Sequence, residues 1–173
     1  KIMRNILFLI ILFTANVIQA ITGFAGTLLA MPLSMMLIGV HEAKVILNIM
    51  AVLSCLILAS KSRKHIQPKI LLNIIAWMAV GMVFGIWIFE HLSLNILLPF
   101  YAIMIILIAL KKLLIKNEIK MSKWMLNGVL LAAGIIHGMF VAGGALLVVY
   151  ASTVLKNKEN FRATVAAVWV VLN

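Results

Sequence analysis

Apolar side chains run almost without interruption from Ile6 to Ile38, Val45 to Ser60, Ile70 to Phe89, Leu94 to Leu110 and Trp124 to Leu155, and a further run reaches the last residues. Such continuous runs predict helices rather than the alternating ten-residue segments of a membrane β-barrel. The first run, about 33 residues, exceeds the roughly 20 that one crossing needs. It is interrupted at Thr22-Gly23-Phe24-Ala25-Gly26 and again at Pro32, which predicts either a broken, tilted crossing or two half-helices meeting at the glycines. The run after Trp124 is interrupted by Gly134, Gly138, Gly143 and Gly144. The expected fold is all-α, a polytopic transmembrane helix bundle with glycine-broken helices.

The two interrupted runs resemble each other. At a constant offset of about 118 residues, Gln19 falls on His137, Gly26 on Gly144, Leu28-Leu29 on Leu146-Leu147 and Lys44 on Arg162. Two internal repeats are therefore expected, residues 1–123 forming the first and residues 124–173 the start of a second. The chain opens on Lys1 and stops roughly eleven residues into an apolar run, so more helices are expected beyond Asn173.

Composition places this pattern in a bilayer: 65% of residues are hydrophobic, 11% are charged, and the mean hydropathy is +1.21. The formal charge of +11 sits in short loops and forms no basic stripe interleaved with aromatics, so lipid headgroups rather than nucleic acid are its expected partners. By the positive-inside rule, Lys61-Ser62-Arg63-Lys64-His65 with Lys69, and Lys111, Lys112, Lys116, Lys120 and Lys123, mark two cytoplasmic loops. The intervening turn, Glu90-His91-Leu92-Ser93, has no Lys or Arg and is expected outside. Lys156, Lys158 and Arg162 argue against an outside place for the next loop. On that basis parallel repeats are favoured over the inverted copies that a re-entrant hairpin would produce. No cleavage site follows the first apolar stretch, so no signal peptide is expected. Trp124 is expected at the membrane interface. Gly81 and Gly85, four apart, offer a face where a neighbouring helix could approach closely.

The segment Ile21-Thr22-Gly23-Phe24-Ala25-Gly26-Thr27-Leu28-Leu29-Ala30-Met31-Pro32-Leu33 resembles the glycine-rich stretch and Pro-Leu of the TauE/SafE sulfite exporter family, also called toluene sulfonate uptake permeases. Gly134 to Gly144, Tyr150 and Phe161-Arg162-Ala163-Thr164 are similar to the family's second glycine-rich segment and the start of its next helix. The resemblance spans essentially the whole chain, as the first six of about eight helices expected in the family. Ala25-Gly26 stands for a glycine triplet, Val141 and Ala145 replace a glycine and a proline, and Leu47-Asn48 stands for Thr-Ser. The resemblance implies a multi-pass permease of the bacterial inner membrane that moves small sulfur-containing oxyanions such as sulfite, thiosulfate or organosulfonates.

The residues are compatible with an anion. Glycines let a helix break within the membrane, exposing N–H groups and the positive end of a helix dipole; Gly23, Gly26, Gly143 and Gly144 are the candidates. Gln19 and His137, at matching positions, would donate hydrogen bonds to substrate oxygens, and His137 could carry a proton in a proton-coupled cycle. Lys44 and Arg162 begin helices, where an anion between them would relieve the unfavourable dipole. Asn16, Thr22 and Asn48 are weaker candidates. Cys55 and the scattered methionines read as packing residues. Asp is absent and no Ser-His, paired-carboxylate or metal-ligand cluster appears, so neither an enzyme nor a cofactor is expected. No G-x-x-x-x-G-K loop is present for ATP, leaving gradients as the energy source. A homo-oligomer is compatible with the sequence. The competing reading is a non-transporting membrane scaffold, which would place Gln19, His137 and Arg162 on lipid or partner surfaces rather than in one pocket.

Overall fold

The computed structural model describes residues 2–23, 25–114 and 122–173; Lys1, Phe24 and the basic residues Lys116 and Lys120 lie outside the described residues. Among these described residues eight α-helices follow in order: α1 Ile2–Thr22, α2 Ala25–Ile38, α3 Val40–Lys61, α4 Pro68–His91, α5 Leu94–Leu114, α6 Lys123–Phe140, α7 Gly144–Val154 and α8 Lys158–Leu172. Among the described residues four stretches are long and apolar enough to cross a membrane: Met3–Thr22, Val40–Lys61, Pro68–His91 and Lys123–Phe140. Their outward faces carry large apolar side chains such as Phe13, Leu53, Val83 and Met125, as a lipid-facing surface requires.

Local chemistry sets where the helices start and turn. Asn157 caps α8, its Oδ1 accepting from the N–H groups of Glu159 at 2.8 Å and Asn160 at 3.1 Å. Ser122 caps α6 through the Met125 N–H, and Pro68 opens α4 at a position where no N–H is needed. Gly39 turns α2 into α3 with φ of 94°, a conformation a side chain would resist. Pro32 does not end α2, which runs through it. Nor do Gly134 and Gly138 interrupt α6, which is continuous to Phe140.

Those two glycines serve a close helix contact instead. A Cβ at Gly134 would strike the backbone of Met78, and one at Gly138 the backbone of Met82; in return, Cβ atoms at Gly81 and Gly85 would strike the backbone of Leu131 and Ile135. The expected close approach at Gly81 and Gly85 is therefore present, and its partner face is the glycine pair on α6. Contacts rise together along both chains, so α4 and α6 run parallel.

Helix directions follow from side-chain partners. Asn16 meets Ser54 and Gln19 meets Cys55, so α1 runs parallel to α3. Asn48 meets Asn173 while the turn after α3 meets the start of α8 through His65 and Glu159, 3.2 Å apart, so α3 and α8 are antiparallel. The short 3-10 turn Arg63–His65 reverses α3 into α4. With α4 parallel to α6, α1 and α6 point in opposite directions. This corrects the expectation of parallel copies. The reason is the returning helix: α7 brings the chain back to the end that holds the Lys61–Lys69 loop, so Lys156, Lys158 and Arg162 join that basic loop, while Arg4 and Lys44 lie towards the opposite end.

The centre of the molecule is α8, in which Ala163 to Trp169 are all buried, packed with Cys55, Ile74, Met78, Leu130, Leu147 and Tyr150. A second cluster joins Leu97 and Tyr101 of α5 to Ile136 and Phe140 of α6, with Tyr101 stacked on Phe140 at 4.3 Å between ring centroids.

Candidate functional site

Two chain breaks position the predicted site residues. At the first, α1 stops at Thr22, Gly23 takes φ of 86° and α2 starts at Ala25, folding back so tightly that a Cβ on Gly26 would meet the Ala15 carbonyl and the Gln19 side chain. At the second, α6 stops at Phe140, Val141 takes φ of 55° and α7 starts at Gly144, with a Cβ on Gly143 meeting the Ala133 carbonyl and the His137 side chain. Gln19 and His137 thus hold matching places. The glycine that matches Gly26 is Gly143 rather than Gly144, so the offset shortens by one residue across the break, which corrects the constant register read from the sequence.

Val141 is the one described non-glycine residue at positive φ. A β-branched side chain there costs roughly 1–2 kcal/mol of backbone strain. Val141→Gly should therefore lower the unfolding temperature in detergent less than Val165→Gly, which truncates a buried valine inside α8. Equal losses would show that the strain is not there.

The first break is closed by its own side chains. Gln19, 4% exposed, accepts the Gly26 N–H on Oε1 at 2.9 Å and donates from Nε2 to the Cys55 sulfur at 3.2 Å. The Ala25 N–H is held by the Thr22 hydroxyl at 3.1 Å. Asn16 Oδ1 accepts from Ser54 at 2.5 Å while its amide donates to the Leu12 carbonyl at 2.8 Å. Arg162 is exposed and donates to the Ala20 carbonyl at 2.6 Å, its side chain lying over Gly23. A cation on the last carbonyls of α1 is favourable, so the dipole that opposes Arg162 at the start of α8 is offset by another helix. A small cavity lined by Asn16, Gln19, Gly26, Thr27, Leu47 and Ala51 has room for about one water molecule.

The second break is left open. No side chain caps α7, and its first residues Gly143 and Gly144 are buried. Around it, His137 Nδ1, Trp169 Nε1, Asn173 Oδ1 and Asn48 Oδ1 are buried without a hydrogen-bond partner. His137, 4% exposed, lies against the Trp169 ring at 4.8 Å between centroids, with the Asn173 side chain and Leu172 backbone facing its imidazole. Asn48 donates to the Asn173 carbonyl at 3.2 Å, which joins α3 to α8. The Asn173 side chain is within hydrogen-bonding reach of the imidazole, which leaves the Trp169 N–H as the buried donor that calls for a partner, at a cost of about 1–3 kcal/mol if it has none. Lys44 sits beside this break. Its ammonium lies 3.5 Å from the centre of the Phe89 ring, which in turn meets Phe140 edge-on at 6.0 Å.

The sequence-predicted residues therefore sort into two groups: Gln19, Gly23, Gly26 and Arg162 at the first break, Lys44, His137, Gly143 and Gly144 at the second. They do not share one pocket, and of Gln19, His137 and Arg162 only Gln19 lines the cavity. Trp169 and Asn173 are not among the residues the sequence points to, and Asn48 is only a weaker candidate there. Cys55, read as a packing residue, is buried and also accepts from Gln19. With the offset shortened by one beyond the break, Cys55 falls on Leu172, so the repeat gives no signal for Asn173.

The Sulfite exporter TauE/SafE family model matches residues 7–173. The chain belongs to this family. Membership, together with four apolar helices long enough to span among the described residues, makes it a multi-pass membrane protein of a transporter family. No curated protein and no solved structure matches it. In this TauE/SafE protein the long glycine-rich segments are where the chain folds back on itself.

Proposed function

We propose that this protein is a secondary transporter of the bacterial plasma membrane that moves a small sulfur-containing oxyanion, such as sulfite, thiosulfate or an organosulfonate, by alternating access. The observation that carries this reading is the unpaired Trp169 N–H next to His137, beside the uncapped start of α7. An oxyanion there would accept from the Trp169 N–H, from His137 and from the N–H groups at Gly143 and Gly144, in the field of the α7 dipole. Lys44 lends a positive charge from the side without entering the group.

In this reading the α1–α2–α3 and α6–α7–α8 units are inverted copies that rock against each other across the α3–α8 contact. Arg162 positions the end of α1, and Gln19, Gly23 and Gly26 build the matching break. His137 passes a proton if transport is proton-coupled. The scaffold reading needs Gln19, His137 and Arg162 on outer surfaces rather than in one pocket; Gln19 and His137 are buried, whereas Arg162 is exposed and the three share no pocket.

The test is flux of labelled sulfite, thiosulfate and a small organosulfonate into liposomes holding the full-length protein, with and without a proton gradient. Saturable flux of one of these anions is expected. Folded protein that carries none of them overturns the assignment.

A further inference from the structure

Resting on the reading that the second break receives the anion, we propose that Gln19 is a built-in cap that takes the anion's place at the first break, so that the chain carries one anion site and not two. The two breaks share a backbone plan and differ in what meets the returning helix. At α2 the Gln19 carbonyl oxygen accepts the Gly26 N–H at 2.9 Å, as a substrate oxygen would. The other end of the same carboxamide donates to Cys55 at 3.2 Å, which fixes its orientation. Neighbouring polar groups are engaged as well: Ala25 N–H by Thr22, Asn16 by Ser54 and the Leu12 carbonyl, Arg162 by the Ala20 carbonyl.

An anion entering here would have to displace Gln19 Oε1 and leave it buried without a donor, which is costly. It would also need more room than the single-water space beside Gln19. At α7 the residue in Gln19's place is His137, α7 has no side-chain cap, and the Trp169 N–H is buried and unpaired. The first break is thus closed by Gln19 and Thr22, whereas the second has no side-chain cap. Gln19 acts on the site through the frame it holds, as a positioning residue, and touches no substrate.

Gln19→Glu separates a cap from a ligand. A carboxylate is an acceptable acceptor at a helix start, yet it repels an anion. In full-length protein reconstituted in liposomes, Gln19→Glu should keep saturable sulfite uptake with KM within about twofold of the unmodified protein, whereas a Gln19 that bound substrate would lose on the order of tenfold or more. Such a loss in folded Gln19→Glu protein overturns the proposal. Independently of any variant, equilibrium binding of labelled sulfite to the purified full-length protein should saturate at one per chain. Two per chain overturns the proposal while leaving transport intact. Neither binding nor flux in the unmodified protein instead overturns the reading on which it rests.

Discussion

His137→Ala should reduce saturable anion uptake by tenfold or more while the protein inserts and accumulates at its normal level. A hydrogen bond to a charged group contributes about 1.5–3 kcal/mol, and each 1.4 kcal/mol is about tenfold in affinity. Alanine keeps the Cβ that packs against Gly143, so the turn into α7 is preserved while the imidazole is lost. The loss should appear mainly in KM if His137 binds the anion alike at every stage, and in the maximal rate if it acts only during the conformational change. His137→Gln restores a donor and should recover part of the flux. Full uptake by His137→Ala, in protein of normal abundance, would remove the imidazole from the site. Arg162→Ala makes a useful contrast. It breaks the bond to the Ala20 carbonyl at the far break, so it should reduce thermal stability and uptake together, with substrate protecting the variant as well as it protects the unmodified protein.

Gly134→Val should leave little folded protein in the membrane. A Cβ at Gly134 collides with the carbonyl, carbon and Cα of Met78, which are backbone atoms with no rotamer to give way. The two helices must separate, and the reciprocal contacts at Gly81, Gly85 and Gly138 separate with them. Overpacking in a closed core costs about 1–3 kcal/mol per site and more where neighbours cannot shift; a loss of about 3 kcal/mol or more is expected here, enough to unfold a marginal protein. Gly128 on the same helix is the control, because a Cβ there meets nothing within 4 Å. Gly128→Val should stay within about 0.5 kcal/mol of the unmodified protein. Thermal unfolding in detergent and membrane abundance measure both. If Gly134→Val melts with Gly128→Val, α4 and α6 are not in the contact described.

Much of the frame was legible because the bilayer imposes it. Apolar runs long enough to span had to be helices, since lipid offers no partner for an unsatisfied backbone, and α1, α3, α4 and α6 lie within those runs. Gln19 and His137 stood out because a polar group at such depth is expensive, and both prove to be buried. The glycines were harder to read. Gly23 and Gly143 serve turns, whereas Gly134 and Gly138 serve a helix contact, and a glycine in an apolar run has the same local signature in either case.

The sequence by itself determined that this is a helical, multi-pass membrane protein of the TauE/SafE family, and it pointed to two polar residues, Gln19 and His137, at matching places. Those conclusions rest on burial cost and local periodicity, which act residue by residue along the chain. Only the tertiary structure decided that α1 and α6 run oppositely, that Arg162 reaches the end of α1, that Gln19 spends its hydrogen bonds on Gly26 and Cys55, and that the Trp169 N–H stands unpaired beside His137. Each of these depends on which groups from distant segments meet, and whether a buried polar side chain is satisfied or waiting is a property of its neighbours rather than of the residue.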